Sequence, residues 1–123
     1  MRFLFVLCLA ATPLAADPLA RDSDREIGSD ALDNRLRGAR IAFYDGGVSE
    51  YYDDGRYTYT YADQGGTGYG YYEVSGDSRV CIDFVNGFSR CDLYVLDAQG
   101  RLVVITEKGD RFPVRREAER RDN

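Results

Sequence analysis

The sequence predicts an all-β fold: an antiparallel up-and-down meander of seven to eight short strands, curled into a small barrel, with one short N-terminal helix. Three observations carry this. From residue 40 onward, runs rich in β-branched and aromatic residues alternate with Asp/Gly/Asn turn clusters. No connection is long enough for a crossover helix, so each strand must pair antiparallel with the next. The 123 residues, 44% of them hydrophobic, suffice for one core and not for two.

Residues 1–16 have the pattern of a secretory signal: Met1-Arg2, an apolar stretch from Phe3 to Ala11, then Pro13 before Leu14-Ala15-Ala16. The stretch is shorter than the roughly 20 apolar residues a membrane span needs. Cleavage is expected after Ala16, and Cys8 leaves with the signal. The remaining chain has 15 basic against 21 acidic side chains, a formal charge of −6. Such a balance disfavours nucleic acid and anionic lipid as partners. The expected location is periplasmic or secreted, with no stable membrane insertion after signal removal, as a monomer.

Residues 17–28 (DPLARDSDREIG) carry many charges and few large apolar side chains, the composition of a flexible tether. A short helix follows. Ser29 suits its N-cap, Asp30 and Asp33 favour its positive end, Leu32 and Leu36 stack at i,i+4, and Gly38 suits its C-terminal cap. Its narrow apolar stripe should cover a barrel end or a sheet edge. The expected strands are 40–44, 48–52, 56–62, 69–74, 79–84, 89–96, 101–107 and 111–114, making 29–114 the folded domain. Residues 115–123 (RREAERRDN) have no apolar stripe and are expected to form a solvated tail.

Cys81 and Cys91 form an even pair in an oxidising compartment, which implies a disulfide. Closing a loop of about 10 residues, it would contribute on the order of 2–3 kcal/mol. The pair creates a register conflict. Placing Cys81 opposite Cys91 puts Val80, Ile82 and Phe84 on the same face as Arg90 and Asp92. A two-residue Asn86-Gly87 turn groups them instead with Leu93 and Val95, but sends the cysteines to opposite faces. A bulge near Asp83 or Arg90 would reconcile the two demands.

The chain has no histidine, which removes His-based catalysis and most zinc sites. No base stands ready to activate a serine, and the single lysine, Lys108, falls in a turn. Carboxylates such as Asp53-Asp54, or Asp83 with Asp92, lie mostly in turns where Asp is favoured for backbone reasons. The expectation is therefore no catalytic residue, no metal and no cofactor. The glycine-rich stretch 65–70 lacks the strand-then-helix context and the following Lys of a phosphate-binding loop, and is expected to be a hairpin tip.

Tyrosine is the conspicuous residue, 10 of 123, concentrated between Tyr44 and Tyr72. Tyr57, Tyr59 and Tyr61 alternate and share a face, and so do Tyr69 and Tyr71 on the next strand. These five are the ligand-binding candidates, because a flat apolar ring with a polar tip suits sugars, peptides and aromatic ligands. The alternative role is cross-strand packing. Arg56, Thr58 and Thr60 occupy the other face of the Tyr57 strand, which predicts that its tyrosines point inward.

The runs 38–52 (GARIAFYDGGVSEYY) and 70–91 (GYYEVSGDSRVCIDFVNGFSRC) resemble small uncharacterised secreted proteins of alphaproteobacteria. Their pattern is a signal peptide, an Asp-Gly turn, and a Gly-aromatic-aromatic strand leading to two cysteines about ten apart. Ile41 replaces a Thr-type start here, and Tyr71 and Leu93 stand where Trp is common. The resemblance implies a periplasmic or secreted β-domain and carries over no catalytic residue. The function expected is an exported, non-catalytic binding or structural domain of the bacterial envelope, its partner an unknown small molecule, glycan or protein. The alternative is a protein inhibitor of a secreted hydrolase, a lysozyme or protease. The 65–70 stretch superficially resembles the Ser/Gly-rich segment of periplasmic lysozyme inhibitors, from which Gln64-Gly65-Gly66-Thr67 departs in detail.

Overall fold

The computed structural model describes residues 17–121, so the expected signal peptide (1–16) lies outside the described residues. Nine strands and one helix follow one another: β1 (Arg25–Glu26), α1 (Ser29–Leu36), β2 (Ala39–Phe43), β3 (Val48–Tyr51), β4 (Arg56–Thr60), β5 (Thr67–Val74), β6 (Arg79–Phe84), β7 (Ser89–Leu96), β8 (Leu102–Ile105) and β9 (Arg111–Glu119). Strands β2 to β9 pair antiparallel in sequence order, and β9 returns to β2, closing an eight-stranded up-and-down barrel. Closure leaves the barrel no unpaired sheet edge. The tight reversals use left-handed glycines where the sequence offers them; Gly87 has φ +90° in the β6–β7 turn.

Helix α1 plugs one end. Leu32 and Leu36 are fully buried and join Ile41, Tyr51, Tyr72, Val80 and Ile82 in the main core. Gly28 rather than Ser29 precedes the first turn, and no side chain caps it; Gly38 takes the expected left-handed conformation after the helix. Arg35 donates from Nε and Nη2 to the Glu117 carboxylate at 2.8 and 2.7 Å, fastening the helix to β9.

Three expectations are corrected. Residues 115–119 are not a solvated tail: they continue β9 and complete the barrel beside β2, with a register shift between Ala42 and Phe43. Their charges are tolerated because these positions stay exposed, and Glu117 finds Arg35. Second, 17–28 is not a loose tether. It wraps the outside of the barrel, adds β1 against the end of β7, and buries Ile27, whose N–H donates to Ser78 Oγ at 2.8 Å.

The third correction explains the second. Cys81 pairs directly with Cys91, Ile82 with Arg90 and Val80 with Asp92, with no bulge in the hairpin, and the disulfide forms. Leu93 and Val95 therefore point outward, where with Val103 and Ile105 they build a second buried cluster. Leu19 and Ala20 of the N-terminal segment pack on it. Two ion pairs pin the strap: Asp17 to Arg79 at 2.8 Å, and Asp24 to Arg111 at 2.6 Å. The register that looked wrong for the hydrophobic pattern is satisfied by an outer cover.

Candidate functional site

The same register sends Arg90 and Asp92 into the barrel. The helix end is filled, and the opposite end, at the β2–β3, β4–β5, β6–β7 and β8–β9 turns, opens into a cavity of about 290 Å³. Phe43, Tyr59, Tyr61 and Phe112 form its aromatic wall, and Ser49, Tyr57, Arg90, Asp92 and Tyr94 reach it from the interior. Eight strands leave a bore that side chains fill or that holds one small ligand. Here the bore is filled over part of its length only.

Asp92 is 1% exposed. Arg90 Nε lies 3.0 Å from its Oδ2 in a close ion pair, and Asp92 Oδ1 has no hydrogen-bond partner in the protein. Burial raises the Asp92 carboxyl above the ordinary carboxylate range, and Arg90 beside it works in the opposite direction. The Arg90 guanidinium stands 5.9 Å from the Tyr59 ring centre and 5.7 Å from that of Phe84, within cation–π range.

Tyrosine hydroxyls extend the polar floor. Tyr57 and Ser49 share a hydrogen bond of 2.8 Å, and Tyr51 and Tyr94 pair hydroxyl to hydroxyl below them. Burial pushes the Tyr57 phenol up to about 12, so it stays protonated at any physiological pH. At the rim, Asp45 accepts the Gly47 N–H at 2.9 Å, and on the outer face Glu107 accepts the Cys91 N–H at 2.9 Å. Gly47 sits so close over Tyr59 that a Cβ there would lie 2.1 Å from the Tyr59 hydroxyl, so a larger residue would push the ring aside.

The candidate tyrosines divide. Tyr57 is buried in the wall, Tyr59 is half-buried at the mouth, and Tyr61 is exposed on the rim, edge-on to Tyr59 at 4.9 Å. Tyr69 and Tyr71, each 58% exposed, do not join them. Opposite Tyr57 and Tyr59 stand Gly70 and Gly68, so the neighbouring strand presents glycine inward and Tyr69 and Tyr71 outward. These glycines belong to β5 rather than to a hairpin tip: a Cβ at Gly70 would meet the Asp83 carbonyl at 2.4 Å, and one at Gly68 the Phe84 ring at 3.2 Å.

Sequence reasoning about sites missed Phe43, Ser49, Arg90, Tyr94 and Phe112, and treated Asp92 only as one of many carboxylates. The signal was there for Arg90 and Asp92, because opposing the cysteines already placed them on the inner face. Among the described residues, no group of three or more Cys, Asp or Glu side chains is arranged to hold a metal ion, and no helix is long and apolar enough to cross a membrane. The disulfide is the mark of an oxidising, non-cytoplasmic compartment. Comparison with protein-family models, with curated proteins and with solved structures gives no match.

Proposed function

We propose that this chain is an exported binding domain of the bacterial envelope that takes a small ligand in the open end of its barrel, without catalysis. The observation that carries the reading is the Arg90–Asp92 pair, held inside the barrel with polar capacity unused and aromatic rings around it. The remaining lone pairs and protons of the pair face the open cavity, where a ligand's polar groups can meet them in place of solvent. Mapping of amide chemical shifts on the processed, oxidised protein with a pool of small polar and apolar compounds tests it. Shifts should concentrate at the C-terminal end of β2, the start of β7 and the β8–β9 turn. Shifts confined to the outer wall, or none, would sink the reading.

One observation favours a second reading, a protein partner such as a secreted hydrolase to be inhibited. Tyr69, Tyr71 and Val85 form an exposed apolar row on the outer wall, bordered by Glu73, Asp83 and the Arg40–Glu50 pair, with Arg56 opposite Tyr71. Such an apolar row with a charged margin of both signs suits a protein surface. A panel of lysozymes and proteases assayed with micromolar protein decides it, Tyr71→Ala relieving any inhibition found.

A further inference from the structure

We infer that the mouth cavity takes an uncharged, hydroxyl-bearing ring, a single sugar residue either free or at the end of a glycan. The inference rests on the ligand-binding reading above and supplies its chemistry.

Charge comes first. Arg90 and Asp92 cancel each other inside the cavity, and a charged ligand seated against either would leave the other uncompensated at a poorly solvated site. An organic cation would normally be drawn to an aromatic enclosure. Here the Arg90 guanidinium already stands over Tyr59 and Phe84 and repels a second cation. An anion would meet Asp45 at the rim, already engaged in holding the Gly47 N–H. A neutral ligand avoids both penalties.

Hydrogen-bonding capacity comes next. Asp92 Oδ1 is an acceptor without a partner in the protein, and the Arg90 guanidinium, whose Nε stands 3.0 Å from Oδ2, brings its donors to the same cavity. A hydroxyl group donates to a carboxylate and accepts from a guanidinium at once, so hydroxyls on adjacent ring carbons complement the pair. The remaining wall is of the same kind: the hydroxyl-bearing Ser49, Tyr57 and Thr106 alternate with the apolar faces of Phe43, Tyr59 and Phe112. Such a lining accepts a ring that is polar at its edge and presents C–H bonds from its face, and it is poorly suited to an acyl chain. The volume of 290 Å³ stands at the lower end of small-ligand sites, about 300 Å³, which admits one ring and not a chain of them.

The experiment is an NMR titration of the processed, oxidised, isotope-labelled protein, followed on its backbone amide signals. Its probes are glucose, galactose and N-acetylglucosamine with their methyl glycosides, a chitin trimer, cationic glucosamine, anionic glucuronate and decanoate. At least one neutral pyranose should bind with Kd below about 1 mM. Asp92→Asn should weaken it at least about tenfold, the loss expected when a charge-assisted hydrogen bond goes. Tyr59→Ala, at the half-exposed mouth, gives a second variant should Asp92→Asn fold poorly, and it should weaken binding as well. Tyr71→Ala on the outer wall should leave affinity unchanged. Binding of the glycosides and the trimer would identify a glycan end as the source, and binding of reducing sugars alone a free sugar; either supports the inference. Glucosamine, glucuronate or decanoate shifting the Arg90 amide while every neutral sugar fails would overturn the sugar assignment and leave a ligand-binding barrel. Failure of all probes to bind at the mouth would overturn both.

Discussion

At the helix end of the barrel, Leu32, Leu36 and Ile41 are fully buried, the tyrosine rings stack edge to face at 5.2 Å, and the Tyr51 and Tyr94 hydroxyls satisfy each other. At the mouth, the same strands bring Phe43, Tyr59 and Phe112 around an open space, and the ionic pair among them keeps an acceptor unmatched by the protein. One end spends its side chains on packing, whereas the other holds polarity that packing does not require. Where a fold leaves such capacity unused, something outside the fold is the better explanation for it.

The sharpest way to break this contrast is to injure the packed end and look for an effect at the open one. Leu36→Ala should cost about 3 kcal/mol in urea unfolding, the usual loss for a fully buried leucine that cannot be refilled. Ligand affinity of the folded fraction should be unchanged, because Leu36 does not reach the cavity.

A second comparison concerns two carboxylates. The Arg111 guanidinium, hydrogen-bonded to Asp24 at 2.6 and 3.0 Å, holds the Asp24 carboxyl below the usual range, whereas burial holds that of Asp92 above it. Their linkage to pH has opposite signs. Asp24 stabilises the fold above its unfolded value of about 4, and that contribution disappears as the pH falls through its lower folded value. Asp24→Asn should cost about 2 kcal/mol at pH 7, the loss of charge-assisted hydrogen bonds, and the difference from wild type should shrink in acid. Asp92 penalises the fold at neutral pH, and the penalty vanishes as the pH falls from its raised value toward about 4. Urea midpoints measured from pH 3 to pH 8 should therefore show Asp24→Asn and Asp92→Asn diverging in opposite directions.

The smallest expected effect lies on the strap. Leu19→Ser should destabilise by about 1 kcal/mol, a partly buried side chain lost from the outer cluster. It should also raise the binding of a hydrophobic dye by uncovering Leu93, Val95, Val103 and Ile105.

Much of the barrel was legible because turn chemistry and strand composition agree locally: the Arg79–Phe84 and Ser89–Leu96 strands stand where the sequence puts them. What stayed hidden depends on distant partners. Leu93 and Val95 look inward-facing by hydrophobicity, and only a cover contributed by Leu19, more than seventy positions earlier, makes an outward direction tolerable. That cover was illegible because charges dominate 17–28, and its few apolar residues matter only once docked. The strand 115–119 was masked in the same way, since its pairing depends on β2 and on Arg35 rather than on an apolar stripe. Of the site, Tyr57 and Tyr59 followed from alternation. Arg90 and Asp92 were obscured because a charged pair on an inner face reads first as an error of register.

The central claim is that this pair serves binding rather than stability, and urea unfolding of the double variant Arg90→Met, Asp92→Leu tests it most directly. Replacing a buried ion pair by apolar side chains of similar volume is often neutral or stabilising by about 1–4 kcal/mol. The account predicts an unfolding midpoint equal to or above that of the wild type. An unfolding free energy lowered by several kcal/mol would contradict it and make the pair a structural element of the barrel.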